Sequence, residues 1–270
     1  FGKYVLIRPE PQALWNKSLP DEQWRRLSDA MFIRDKGKNT DTDKGGWQTK
    51  VGMPDNWHIA YQYKDLNIKL KLALTAFGHI GVFPEQAENW NFIYDTVSQS
   101  KTDSPNKVLN MFAYTGGATL AARAAGANVV HLDAIKPVVN WARENMELSQ
   151  MQNVSWVVED ALKFARREVK RGNRYQGIIL DPPAYGRGPN GEKWTLSQNI
   201  NELIALCNEL LAPKNSFFVL NMYSMGLSAL IARNLVSQHF GEEKTQYGEF
   251  YLSSNTNFQL PLGTYLRFSR

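Results

Sequence analysis

Residues 108–133 read VLNMFAYTGGATLAARAAGANVVHLD. A short apolar run meets Asn110, passes through Gly116-Gly117, and enters an alanine-rich stretch that stops at Gly126. A second apolar run then ends on the acid Asp133. Short apolar runs bounded by glycine turns read as buried strands, and the alanine-rich stretch between them reads as a helix. Strand, glycine-rich turn, helix and strand in that order form a βαβ unit with a parallel pair of strands.

The same rhythm continues outward from this stretch. Helices are expected near 118–125 and 137–148. The run 154–158 leads to a helix over 161–171, 177–180 to one over 200–211, and 217–220 to one over 228–238. Late strands are expected at 247–252 and 265–268. From about residue 106 the chain therefore predicts an α/β fold with a mainly parallel sheet.

Residues 1–95 are patterned differently. A strand is expected at 4–8, and Trp24, Leu27, Met31 and Phe32 after Pro20 predict a helix over 21–34. The segment 36–50 (KGKNTDTDKGGWQTK) reads as a polar loop. Two strands, 58–63 and 66–75, flank Lys64-Asp65; the second alternates Ile68, Leu70, Leu72 and Leu74 with Lys69, Lys71, Ala73 and Thr75, as a half-buried antiparallel strand does. The expected organisation is a small N-terminal α+β domain over 1–95, for substrate recognition or as a cofactor lid, and a larger α/β domain over 96–270.

Composition narrows the class. The chain has 270 residues, long enough for a sizeable core, with 43% hydrophobic and 21% charged residues, the balance of a globular protein. No apolar run approaches the roughly 18 residues of a membrane span. The single cysteine, Cys207, excludes an internal disulfide and a cysteine metal site; a cytoplasmic setting fits. The net charge of +5 leans toward an anionic partner. The chain begins at Phe1 instead of methionine, so a preceding segment is expected to be missing or removed, and the apolar run 4–7 is too short for a signal peptide.

Ligands of open parallel sheets bind outside the carboxyl ends of the strands. The polar residues expected there are Asn110, Asp133, Asp160 and Asp181. Any one of them is ordinary turn or capping chemistry; four in succession predict a polar crevice. The segment 110–117 (NMFAYTGG) opens a helix, where backbone amides can approach a ligand. It lacks the dinucleotide pattern G-x-G-x-x-G and the lysine of a phosphate-binding loop. An acid at Asp133 suits ribose hydroxyls, and Asp160-Ala161 could face an adenine amino group. An adenosine ligand without a pyrophosphate fits these features better than NAD, which points to S-adenosylmethionine.

The segments 108–148, 157–168 (VVEDALKFARRE) and 175–194 (YQGIILDPPAYGRGPNGEKW) resemble class I S-adenosylmethionine-dependent methyltransferases with a Rossmann-like, mostly parallel seven-stranded sheet. More closely, they resemble the bacterial family containing the 23S rRNA cytosine-5 and guanine-N7 methyltransferases, from about Phe77 to the C-terminus. The resemblance implies that Phe112, Tyr114, Thr115, Gly116 and Gly117, with Asn110, surround the methionine and ribose of the cofactor. Asp133 would bind the ribose, Asp160 and Ala161 the adenine side, and Asp181 would sit beside the reactive methyl. The segment 81–86 (GVFPEQ) resembles a family element that also touches the cofactor, through Phe83, Glu85 and Gln86. The family often carries an arginine next, where this chain has Ala87, so a basic contact to the cofactor carboxylate is missing or supplied elsewhere.

A second departure bears on the reaction. Methylation of cytosine at C5 needs a nucleophile that adds to C6. The cytosine-5 members carry a cysteine after the fifth strand, where 220–225 reads LNMYSM with Tyr223 near its place. Cys207 lies in a helical apolar pattern and reads as core. Methyl transfer to nitrogen or oxygen requires mainly alignment. In that reading Asp181 and the carbonyls of Pro182 and Pro183 accept hydrogen bonds from the target, and Tyr185 stacks on an extruded base.

RNA is the expected partner, ribosomal by resemblance. The segment 163–174 (KFARREVKRGNR) places Lys163, Arg166, Arg167, Lys170, Arg171 and Arg174 at helical spacing, with Arg187 and Lys193 near the second motif. A solvated helix face is the commoner origin of such a run. Trp194 could stack on RNA or anchor the core. His58, His79, His131 and His239 are scattered, so no metal is expected. The expected function is methyl transfer to an RNA base without a cysteine adduct. The alternatives are a methyltransferase of a small molecule or protein, and an inactive module that keeps the cofactor pocket.

Overall fold

A computed structural model describes residues 1–35, 44–100, 105–223 and 226–270. In chain order the elements are β1 (Leu6–Ile7), α1 (Asp21–Leu27), β2 (Ala30–Arg34), β3 (Gly45–Thr49), β4 (Asn56–Tyr63), β5 (Leu66–Ala73), a 3-10 turn (Pro84–Gln86) and α2 (Ala87–Gln99). Then follow β6 (Lys107–Met111), α3 (Gly117–Ala124), β7 (Asn128–Asp133), α4 (Lys136–Leu148), β8 (Val154–Val158), α5 (Ala161–Lys170) and β9 (Gly177–Leu180). The chain ends with β10 (Tyr185–Arg187), β11 (Lys193–Thr195), α6 (Leu196–Leu210), β12 (Phe217–Met222), α7 (Ala229–Phe240), β13 (Gln246–Ser253) and β14 (Gln259–Ser269).

The main sheet has seven strands in the order β13-β14-β12-β9-β6-β7-β8. Six run in one direction, and β14 alone is reversed, antiparallel to β12 and to β13. This is the expected α/β architecture. The chain moves outward from β6 through β7 to β8 and then returns to the other side of β6 as β9. The order therefore reverses between β6 and β9, and a crevice opens at their carboxyl ends.

Alternation sorts the side chains of the central strands. Leu109, Met111, Ile178, Leu180, Phe218 and Leu220 pack with α5, α6 and α7 in one buried cluster. Val108, Val129, Ile179, Phe217 and Val219 pack on the opposite face with α2, α3 and the β4–β5 hairpin. Strands β9 and β12 are buried along their whole length, which explains their apolar sequence, broken in β12 only by Asn221.

The β4–β5 hairpin lies as expected, with Leu66, Ile68, Leu70 and Leu72 buried. Its β5 edge is bonded to α4. Asn145 Oδ1 accepts from Lys71 N at 2.7 Å, Ser149 Oγ accepts from Lys69 N at 2.9 Å, and Trp141 Nε1 donates to the Lys71 carbonyl at 3.0 Å. A hairpin edge that would otherwise face water is covered by side chains that cap its amides.

Two N-terminal expectations are corrected. The helix expected over 21–34 stops at Leu27, and residues 30–34 form β2, with Ala30 and Phe32 buried and alternate positions more exposed. Pairing with β1 and β3 overrides the helical spacing. Of the loop expected over 36–50, residues 36–43 lie outside the described residues, whereas 45–49 form β3. The α2 helix and the β10–β11 hairpin have no counterpart in the sequence reading.

Candidate functional site

The loop from β6 to α3 is held in an unusual conformation. Phe112, Tyr114 and Gly116 have φ of 56°, 49° and 92°. Left-handed backbone at a bulky residue costs about 1–2 kcal/mol, so the surroundings must over-determine it. Here Asp133 Oδ2 accepts from Tyr114 N at 3.0 Å, and Ala113 N donates to the Leu132 carbonyl at 3.1 Å. Thr115 Oγ1 donates to the Gly81 carbonyl at 2.7 Å, while the Thr115 carbonyl accepts from Asn145 Nδ2 at 2.9 Å. The Phe112 ring lies 4.7 Å from Trp194, and Tyr114 lies 5.4 Å from Phe83.

This loop delivers the amino end of α3 to a cleft lined by Phe83, Gln86, Asn110, Tyr114, Gly117 and Asp181. A β-carbon on Gly117 would stand 2.5 Å from the Trp90 ring, which ties the glycine to close packing between α2 and α3. Beneath the loop, Asn110 Nδ2 donates to Thr119 Oγ1 at 2.9 Å, and Thr119 Oγ1 lies 2.9 Å from His131 Nδ1. Burial pushes His131 down to about 3, so the imidazole is neutral. Asn110 is thus an internal residue of β6 with its amide donor engaged.

Asp181 follows β9 directly, and its amide donates to the Met111 carbonyl at 3.3 Å. The residue borders the cleft, yet its Oδ1 is enclosed and has no hydrogen-bond partner among the described residues. Burial raises its carboxyl to about 7, with Glu85 adding to the shift and a hydrogen bond from Asn221 opposing it. Glu85 is buried and likewise raised to about 7, mainly by desolvation. Behind them lies a polar network absent from the sequence reading. Arg267 Nη1 donates to Asn89 Oδ1 at 3.0 Å, Asn89 Nδ2 to Asn221 Oδ1 at 2.7 Å, and Asn221 Nδ2 to Gln86 Oε1 at 3.2 Å. Gln86 Nε2 in turn donates to the Tyr223 hydroxyl, and the Tyr223 ring lies 5.7 Å from Phe83. Asn221, the penultimate residue of β12, is the member that a reading of strand ends could have found.

The other expected residues divide. Asp133 ends β7, with its oxygens on the Tyr114 and Ile135 amides at 3.0 Å each. Asp160 serves as the N-cap of α5, its Oδ1 accepting from Lys163 N at 2.9 Å, and with Ala161 it stands apart from the cleft lining. The Pro183 carbonyl accepts from the Trp194 indole at 2.7 Å, which engages one of its two lone pairs, and neither proline lines the cleft. Trp194 is buried and anchors the β10–β11 hairpin. Cys207 is fully buried in α6, and burial pushes its thiol up.

The basic run on α5 is largely neutralised. Arg167 grips Glu159 with two bonds, Arg166 pairs with Glu202 at 2.6 Å, Arg171 with Glu168 at 3.0 Å, and Lys163 lies 3.9 Å from Glu192. Lys170 and Arg171 also close the helix at the end away from the crevice. The hairpin differs. Arg187 and Lys193 are direct cross-strand partners, as are Tyr185 and Thr195, while Gly186 and Trp194 face inward. Tyr185 is 78% exposed.

A sheet in this order, with a glycine-rich turn after β6 and acids closing β7 and β9, is the frame of an adenosyl-cofactor enzyme. The family of S-adenosylmethionine-dependent methyltransferases matches residues 65–255. The chain belongs to that family. S-adenosylmethionine is therefore its cofactor, and the enclosed Asp181 Oδ1, the α3 amides and the aromatic walls fit such a group. A SAM-dependent methyltransferase from Agrobacterium tumefaciens is 34% identical and superimposes with a TM-score of 0.89 over 100% of this chain and 85% of that one. The protein SMU.776, solved with SAH, shares the fold at a TM-score of 0.69 and 18% identity, covering 92% of this chain and 63% of that one. Ribosomal RNA large subunit methyltransferase I of Aeromonas salmonicida is 30% identical over 140 residues, 50% of this chain and 34% of that protein. Methyltransferase K/L of Shewanella frigidimarina is 27% identical over 174 residues, 62% of this chain and 23% of that protein. The chain thus spans a third or less of the length of these ribosomal RNA enzymes. No helix among the described residues is long and apolar enough to cross a membrane, and no cluster of three metal-ligating side chains occurs among them.

Proposed function

We propose that this methyltransferase modifies a nitrogen of an RNA base, ribosomal by analogy with the relatives' names, without a cysteine adduct. The observation that carries the reading is Asp181. Its enclosed Oδ1 has no partner among the described residues and is an acceptor suited to an N–H of the target or to positioning its nitrogen, while the sole cysteine is sealed in α6. When bound, the cofactor supplies a methyl on a sulfonium leaving group. The chain's own residues then hold and orient the two reactants.

In this reading Phe83, Tyr114, Gly116 and Gly117 enclose the methionine and ribose, and Thr115 fixes their loop. Asp133 completes the ribose side by securing Tyr114, and Asp160 and Ala161 set the start of α5 on the adenine side. Gln86 lines the cleft with Asp181, and Glu85 stands near enough to act on the Asp181 carboxyl.

The β10–β11 hairpin supports RNA more directly than α5 does. Two like charges placed opposite one another repel, and neither Arg187 nor Lys193 makes an ion pair among the described residues. A phosphate between them would relieve the repulsion, and the exposed ring of Tyr185 projects from the same face as a stacking surface. The ion-paired side chains Lys163, Arg166, Arg167 and Arg171 would contribute less, and Lys170 would contribute only to a long RNA contact.

The test is transfer of labelled methyl to bulk RNA, followed by nuclease digestion and nucleoside analysis. Label should enter a base nitrogen, survive Cys207→Ala and disappear with Asp181→Ala. Label in protein or small molecules would favour the alternative substrate class, and 5-methylcytidine would overturn nitrogen as the acceptor.

A further inference from the structure

The cleft holds an acid and no cation among its lining residues. Asp181 lines it, Glu85 stands close enough to raise Asp181, and Asp133 braces its loop. The methionine end of S-adenosylmethionine carries an ammonium and a carboxylate. The acids suit the ammonium; the carboxylate would meet them with repulsion unless a cation stood close by.

Arg8 meets that need from outside the matched family segment, which begins at residue 65. It follows β1 directly and is half-buried, with its guanidinium over the Phe1 ring at 5.5 Å. Its one hydrogen bond, from Nη1 to the Gly78 carbonyl, is long at 3.5 Å. It makes no ion pair with any described residue, which leaves most of its five donors unused. Gly78 begins the segment that continues through Gly81, which holds Thr115, to Phe83, which packs on Tyr114. Arg8 is also the cation whose field reaches both Glu85 and Tyr114, one beside the cleft and one lining it. A guanidinium denied much of its hydration, with free donors beside an acidic ligand site, is a receptor for a carboxylate.

We propose that Arg8 binds the carboxylate of the cofactor's methionine moiety, closing over the cleft from the N-terminal segment. The inference rests on the cofactor lying in this cleft with its methionine end toward Glu85 and Tyr114. It assigns to Arg8 the basic contact that Ala87 cannot make.

Calorimetry separates this role from a structural one. S-adenosylhomocysteine carries the carboxylate, and 5′-methylthioadenosine shares the adenosine and sulfur but lacks it. Arg8→Gln should weaken S-adenosylhomocysteine by about tenfold or more, as loss of a charge-assisted bond does, and leave 5′-methylthioadenosine within about twofold. Arg8→Lys should recover part of the loss, since it keeps the charge but not the planar fork. Equal losses for both ligands, or unchanged affinity for S-adenosylhomocysteine, would overturn the assignment. Failure of the unaltered protein to bind either ligand would remove the cofactor placement on which it stands.

Discussion

Replacing Asp181 by asparagine should stabilise the ligand-free protein while it destroys methyl transfer. The carboxyl is raised from 3.8 to about 7, chiefly by burial. The folded state therefore holds its proton to higher pH than the unfolded chain does. Stability from this group is complete below the unfolded value and is lost as pH rises through about 7. At about 1.4 kcal/mol per pH unit, a shift of this size costs at most on the order of 4 kcal/mol by pH 8. Because the residue borders the cleft, solvent screens part of this, and we take about 2 kcal/mol. Asparagine cannot ionise and escapes that penalty, and it also relieves Glu85 of a neighbouring charge. For a chain of this size, about 2 kcal/mol corresponds to roughly 4–8 °C in Tm. Thermal or urea unfolding of both proteins at pH 5 and pH 8 checks the sign. Asp181→Asn should be the more stable at pH 8, with a smaller advantage at pH 5. A variant less stable at pH 8, or an advantage equal at both values, would refute the burial argument.

Gly117→Ala drives a β-carbon to 2.5 Å from the Trp90 ring and should cost about 1–3 kcal/mol, with a larger loss in S-adenosylmethionine affinity than in Tm, read by calorimetry beside unfolding. Cys207→Ala should keep turnover within about twofold and cost about 1 kcal/mol from the α6 core, measured by methyl transfer and urea unfolding. Lys193→Gln and Arg187→Gln should each reduce the salt slope of RNA binding by about 1, whereas Arg166→Gln, whose charge is already paired with Glu202, should change it little.

Much of the fold was legible because each βαβ unit carries its own local signal. Apolar runs such as 177–180 and 217–220 read plainly as strands, and they lie in the doubly buried strands β9 and β12. The N-terminal part was harder. Met31 and Phe32 continue the helical spacing of Trp24 and Leu27, but Ala30 and Phe32 also alternate, and partner strands decided between the two. Of the cleft lining, 112–117 and Asp181 were legible in contiguous motifs. Asn89, Asn221 and Arg267 were not, because the network that unites them spans distant parts of the chain, and neither was Arg8, whose hydrogen-bond partner Gly78 lies 70 positions away. The α5 cations show the converse. Their spacing was plain in sequence, but their acidic partners Glu192 and Glu202 follow on later elements, and only folding reveals the neutralisation.

The central claim is that the methyl goes to a nitrogen of an RNA base held at Asp181. It is tested most directly by mass spectrometry of nucleosides from ribosomal RNA incubated with labelled S-adenosylmethionine and either the unaltered protein or Asp181→Ala. A single N-methylated nucleoside should appear with the unaltered protein and be absent with the variant. Label in 5-methylcytidine, or a protein active on other molecules that leaves RNA unlabelled, would contradict it.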